Sequence, residues 1–174
     1  FLFLLLGLML LLSGCQSGNT TPPAPTPRPV PDAPLISFSF SESHSYHARV
    51  QGYEFRAADG KYTASFDLAD MEEPYPVAVD QAWVDTLTGF IRQYDMMAWD
   101  GFRGSDSMLL DGTHFSMHFS FQDGTAVHAS GYGRFPADYG DASAAIEAHF
   151  KPLVGFILIF QIRCYRNLHA ELKC

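Results

Sequence analysis

Thr113-His114-Phe115-Ser116-Met117-His118-Phe119-Ser120-Phe121-Gln122-Asp123-Gly124-Thr125-Ala126-Val127-His128-Ala129-Ser130-Gly131 is the stretch that decides the fold of this chain. Thr113, Phe115, Met117, Phe119 and Phe121 alternate with His114, Ser116, His118, Ser120 and Gln122. Successive side chains of a strand point to opposite faces, so the segment has one buried side and one polar side. Asp123-Gly124 then turns the chain back. A two-residue loop at Asp123-Gly124 sets Phe119 opposite His128 and mixes the faces. A three-residue loop, Gln122–Gly124, sets Phe119 opposite Val127 and keeps them apart. The pattern selects the three-residue form, a type I turn closing on a left-handed glycine.

Working outward, Ile36, Phe38 and Phe40 alternate with Ser37, Ser39 and Ser41, which predicts a first strand from Leu35 with one buried face. Arg49–Phe55 and Tyr62–Leu68 read as two more strands joined through Ala57-Ala58-Asp59-Gly60, where Asp-Gly supplies the positive φ of a hairpin. Asp80 is placed to cap a helix from Gln81 to Tyr94, whose apolar face is Trp83, Leu87, Phe90, Ile91 and Tyr94. Asp95 to Gly112 reads as irregular, and the alanine-rich Asp141–Phe150 as a short second helix. The sum is an α+β domain over residues 35–152. Its antiparallel sheet has about five or six strands, with the main helix packed on one face.

Both ends read differently. Phe1 to Leu12 is almost wholly apolar, which suits a signal-peptide core and falls short of the roughly 20 residues that span a bilayer. The basic start of such a peptide is expected before Phe1. Leu12-Ser13-Gly14-Cys15 resembles the bacterial lipobox, in which small residues let a signal peptidase reach a cysteine already carrying diacylglycerol. The resemblance implies a bacterial lipoprotein: residues 1–14 are removed, and Cys15 carries acyl chains of the palmitate type. At about 0.8 kcal/mol per buried methylene, two or more chains hold a protein stably on a membrane. The expected location is therefore the extracytoplasmic face of the cell membrane. Residues 15–34 form the lipidated cysteine and a linker with seven prolines, which at about 3.1 Å per residue reaches on the order of 50 to 60 Å. The tail, 153–174, joins the apolar run Leu153–Phe160 to Arg163, Cys164, Arg166, Lys173 and Cys174. Two readings of it stay open, a final buried strand or a terminus altered by a reading-frame error. Cys164 and Cys174 could pair in an oxidising compartment.

Composition excludes one partner class. The formal net charge is -8, and proteins that grip nucleic acid present a basic stripe. Fifteen phenylalanines suffice for a core without disulfides. The selected hairpin register opposes His118 and His128 on the polar face, with Cβ atoms roughly 4.5 to 5.5 Å apart. Two imidazoles are ligands for zinc or copper, yet a site needs more, and His114 lies about 13 Å along the strand from His118. Asp70, Glu72 and Glu73 lack the alternating ligand positions of a calcium loop and read as a solvated turn. No nucleophile elbow, phosphate-binding glycine loop or helical two-histidine motif is present, so no catalytic residue is assigned. Trp99 and Phe102 either cap the core edge or, with Tyr132 and Phe135, stand exposed at one end as a binding surface.

From Trp83 to Phe150 the chain resembles domains of uncharacterised bacterial surface lipoproteins, on the strength of Trp99-Asp100-Gly101-Phe102, Asp111-Gly112, Asp123-Gly124 and Phe135-Pro136. That resemblance implies a fold and carries no activity. The expected function is a membrane-anchored, non-enzymatic binding or envelope accessory domain, with a protein, glycan or wall component as partner. The alternative is a metal-handling or metal-dependent lipoprotein using His118 and His128.

Overall fold

Alternation of large rings with small polar residues builds a seven-stranded sheet in the computed structural model, which describes residues 28–44, 47–68 and 76–153. The strands are β1 (Leu35–His44), β2 (His47–Ala58), β3 (Lys61–Leu68), β4 (Val77–Val79), β5 (Arg103–Ser105), β6 (Thr113–Phe121) and β7 (Ala126–Tyr132). Their order is β4-β3-β2-β1-β6-β7-β5. Every neighbouring pair is antiparallel except β5 and β7, which run parallel. The α+β expectation holds, and the count of five or six strands is corrected to seven. The added strands, β4 and β5, are three-residue edges, too short to display a period of two.

Both hairpins follow their turn residues. Asp59 and Gly60, with φ of 53° and 72°, make the two-residue loop between β2 and β3 that positive φ permits. Between β6 and β7, the Phe121 N–H donates to the Thr125 carbonyl at 2.8 Å and the Gly124 N–H to the Phe121 carbonyl at 3.0 Å. Gly124 has φ 88°, the loop is Gln122–Gly124, and Phe119 stands opposite Val127. At the start of β1 the expected alternation breaks. Leu35 pairs with Phe121 while Ser37 pairs with Ser120, so two steps of β1 oppose one of β6. This bulge turns Leu35 into the core and leaves Ile36 37% exposed, correcting the inward placement of Ile36.

Helix α1 (Gln81–Gln93) starts where Asp80 accepts a hydrogen bond from the Trp83 N–H at 2.9 Å. Its buried line is Val84, Leu87 and Ile91, and Trp83, Phe90 and Tyr94 pack half-buried beside it. Helix α2 is described over 139–153, longer than Asp141–Phe150, with Ala142, Ile146, Phe150 and Leu153 facing inward. Both helices lie on the aromatic side of the sheet: Trp83 meets Phe55, Phe150 meets Tyr53, and Tyr139 meets Phe40 and Phe115. Each fully buried large apolar side chain contributes about 1.5–3 kcal/mol. Phe38, Phe55, Phe66, Phe115, Phe119, Phe121 and Phe150 are all of this kind.

Packed and hydrogen-bonded residues extend past 35 and 152. Val30 and Ala33 pack against the core, the Gln122 N–H donates to the Pro34 carbonyl at 2.9 Å, and Arg28 pairs with Asp100 at 3.0 Å. Proline has no N–H to satisfy, so a proline-rich segment can lie along a protein surface without leaving a donor unpaired. Leu153 is buried within α2, so a domain end at 152 would cut a packed helix.

Candidate functional site

The strands that carry the aromatic core on one side carry a polar field on the other. Cross-strand register sets Ser65, Glu54, Ser39, His118 and His128 side by side across β3, β2, β1, β6 and β7. One row away, Ser37 and Ser120 are opposed, with their hydroxyls 2.6 Å apart. On the other side, Ser41, Ser116 and Ser130 line up, and Ser130 neighbours Arg103 of β5.

His118 and His128 meet as the hairpin register requires. Their rings stack, with centroids 4.1 Å apart and planes 28° from parallel. Burial holds the His118 pKa below its ordinary value, and repulsion from His128 adds to that. The position of His128 is fixed from behind. Its N–H donates to Asp100 Oδ1 at 3.1 Å, and its carbonyl accepts from the Gly101 N–H at 2.9 Å. Asp100 Oδ2 is taken by Arg28 at 3.0 Å, so the same carboxylate ties the N-terminal segment to β7.

Two shallow depressions share His118 as a wall. One, of ≈ 170 Å³, has Arg103, Ser116, His118, His128 and Ser130 as its polar lining. The other, of ≈ 180 Å³, lies between Ser37, Ser39, Glu54, Arg56 and His118. Glu54 and Arg56 pair at 3.5 Å, both well exposed. His114 is exposed opposite Tyr132, outside both depressions. Among the described residues no three of His, Cys, Asp and Glu cluster as metal ligands do. Imidazole lone pairs lie in the ring plane. A metal about 2.0 Å from a nitrogen of each stacked ring would sit between the planes and off both lone pairs, so chelation requires one ring to turn.

Of the four rings considered as a binding surface, Trp99 is buried, Phe102 and Tyr132 are half-buried, and Phe135 is exposed. Trp99 is 3% exposed and packs on Tyr139, because the 3-10 turn Met96–Trp99 carries it inward. Phe102 is half-buried against Phe115. The Tyr132 hydroxyl accepts from the Gly112 N–H at 3.1 Å and donates to the Leu110 carbonyl at 3.2 Å, pinning the loop before β6. Phe135 is 37% exposed, yet it stacks on Tyr139 with centroids 4.5 Å apart. The most exposed large apolar residues among those described are Met108 at 89% and Leu110 at 93%, in that loop. The signal for them was three consecutive apolar residues, Met108-Leu109-Leu110, bracketed by Asp106-Ser107 and Asp111-Gly112.

Cys15, Asp70, Glu72, Glu73, Cys164 and Cys174 lie outside the described residues. No described helix is long and apolar enough to cross a membrane. No protein-family model matches the chain, and no curated protein does.

Proposed function

We propose that this chain is a lipid-anchored bacterial lipoprotein whose domain is a non-enzymatic recognition module. It reads an envelope ligand, whether protein, glycan or wall component, with the open sheet face centred on His118 and His128. The observation that carries the reading is the asymmetry of the sheet. Both helices cover the aromatic side, while the other side is a field of hydroxyls, imidazoles, guanidinium groups and the Glu54 carboxylate, with two depressions meeting at His118. An antiparallel sheet often leaves one face to water; the stacking of half-buried His118 on exposed His128 is what such a solvated face does not need. The lipobox-like Leu12-Ser13-Gly14-Cys15 supports the anchor. With Arg28 docked on Asp100, twelve residues separate it from Cys15, and these reach about 35–40 Å at the rise of an extended proline-rich chain.

The test uses the full precursor expressed in a bacterial host. Wild type should incorporate labelled palmitate and lose residues 1–14, and Cys15→Ala should do neither. The mature chain begun at Gln16, without the lipid-bearing cysteine, should co-sediment with isolated envelope material, and adding His118→Ala and His128→Ala should abolish this. Co-sedimentation unchanged by the histidine substitutions would overturn the assignment of the face.

The direct opposition of His118 and His128 favours a second reading, a metal-handling lipoprotein taking zinc or copper after rotation of one ring. Calorimetric titration decides it. Micromolar binding lost in the double alanine variant would support it, and no heat of binding with either metal would end it.

A further inference from the structure

We propose that the depression between β5, β6 and β7 binds a tetrahedral oxyanion of the phosphate type, held by Arg103, His118, His128, Ser116 and Ser130. The proposal rests on the reading of this face as the ligand-facing surface and names the class of ligand it takes. Five donor side chains converge on one hollow of ≈ 170 Å³, and no residue lining it carries a carboxylate, in a chain whose formal net charge is -8. Among the described residues Arg103 makes no ion pair, and the hydroxyls of Ser116 and Ser130 and the ring nitrogens of His118 and His128 make no hydrogen bond. Donors left free within the protein around a common space are what an acceptor-rich ligand needs. Guanidinium in particular matches the oxygen spacing of phosphate. The same guanidinium repels a metal cation, so the hollow suits an anion better than zinc.

The surrounding charges are already committed. On the β7 side, both Asp100 oxygens are engaged, one with the His128 N–H and one with Arg28. Across His118, on β2, Glu54 is paired with Arg56. On β1, the residue facing His118 is the uncharged Ser39. Position is fixed by the backbone: Arg103 stands next to Ser130 in the parallel β5–β7 pair, and Ser130 opposite Ser116. Phe102 forms the apolar end wall.

Binding is coupled to protonation. With no anion His118 resists charging, because burial and repulsion from His128 both favour its neutral form. An oxyanion compensates that repulsion, so its affinity rises as pH falls and His118 takes up its proton.

The experiment follows the ring protons of His118 and His128 by NMR in the lipid-free mature chain begun at Gln16. Inorganic sulfate is the probe, since its charge does not change over the range used, and inorganic phosphate is added at pH 6.5. The expected result is saturable shifts with both anions and sulfate binding at least tenfold tighter at pH 5.5 than at pH 7.5. Arg103→Gln should weaken both at least tenfold while its spectrum shows an intact fold. Vesicles of phosphatidylglycerol against phosphatidylcholine separate the sources: retention on the former alone assigns the oxyanion to a lipid headgroup, and its absence to a soluble or wall phosphate. No saturable shift, or equal binding by Arg103→Gln, overturns the proposal. If envelope material still binds in a histidine-dependent way when sulfate does not, the oxyanion falls and the recognition module stands.

Discussion

His118 and His128 stack across β6 and β7 with ring centroids 4.1 Å apart, close enough that repulsion from His128 opposes charging His118. His118 should therefore titrate below the ordinary histidine value of 6.5, first because it is half-buried and second because of His128. His128→Ala removes only the second cause, so it should raise the His118 pKa part of the way back. NMR titration of the ring protons checks this, and a His118 pKa unmoved by the substitution would show that the stack contributes nothing.

The same depression makes stability depend on pH. A histidine whose folded pKa is lowered prefers the neutral form, and as pH falls below 6.5 the unfolded chain takes up its proton first. The stability it contributes is present above pH 6.5 and is lost as pH falls through the folded value. His149 acts in the same direction. Its burial lowers its pKa, partly offset by its hydrogen bond to the Trp83 carbonyl at 3.0 Å, and its ring stacks on Trp83 at 4.2 Å. The urea midpoint should fall between pH 7.5 and pH 5, and His149→Phe should flatten that slope. An equal slope in the variant would place the pH dependence elsewhere.

Trp99 and Leu110 separate core from surface. Trp99 is almost wholly buried, and truncating a buried aromatic to alanine costs about 3–5 kcal/mol. Leu110 is 93% exposed, and surface substitutions away from special features stay within about 0.5 kcal/mol. Urea unfolding of Trp99→Ala and Leu110→Ser should show that contrast. A Trp99→Ala protein of unchanged midpoint would mean that the ring is not part of the core.

The fold was legible where side-chain period and turn chemistry agreed. Phe115 to Phe121 against His114 to Gln122 fixed the sheet face, Gly124 fixed the register, and the opposition of His118 to His128 followed from the two together. What a period cannot carry was missed. β4 and β5 have three residues each, and Arg103, the cation of the proposed anion site, lies on β5. The bulge at Ile36 reverses the reading of a residue that alternates correctly in sequence. Trp99 reads alike as a core ring or as a binding ring until the 3-10 turn gives it a direction. The docking of Arg28 on Asp100 spans 72 residues of sequence, and nothing in a proline-rich stretch announces it.

Two glycines should respond oppositely to alanine. Gly131 is buried in β7, where an added Cβ would fall 2.2 Å from the Arg134 carbonyl oxygen and 2.6 Å from Phe115 Cε1. Backbone and a core ring cannot both yield, so Gly131→Ala should cost more than the roughly 1–3 kcal/mol typical of overpacking. Gly89 lies inside α1, and a Cβ there meets nothing within 4 Å. Alanine is better than glycine in a helix interior by about 0.5–1 kcal/mol, so Gly89→Ala should raise the urea midpoint. The pair also bears on the site, because Gly131 adjoins Ser130 and lies beside Gly104 in the β5–β7 pairing. Forcing that contact apart would displace Arg103 from Ser130. Gly131→Ala should therefore lose sulfate binding together with stability, whereas Gly89→Ala should keep the binding unchanged. A Gly131→Ala protein as stable as wild type would show that the approach of Arg134 to β7 is looser than the 2.2 Å contact requires.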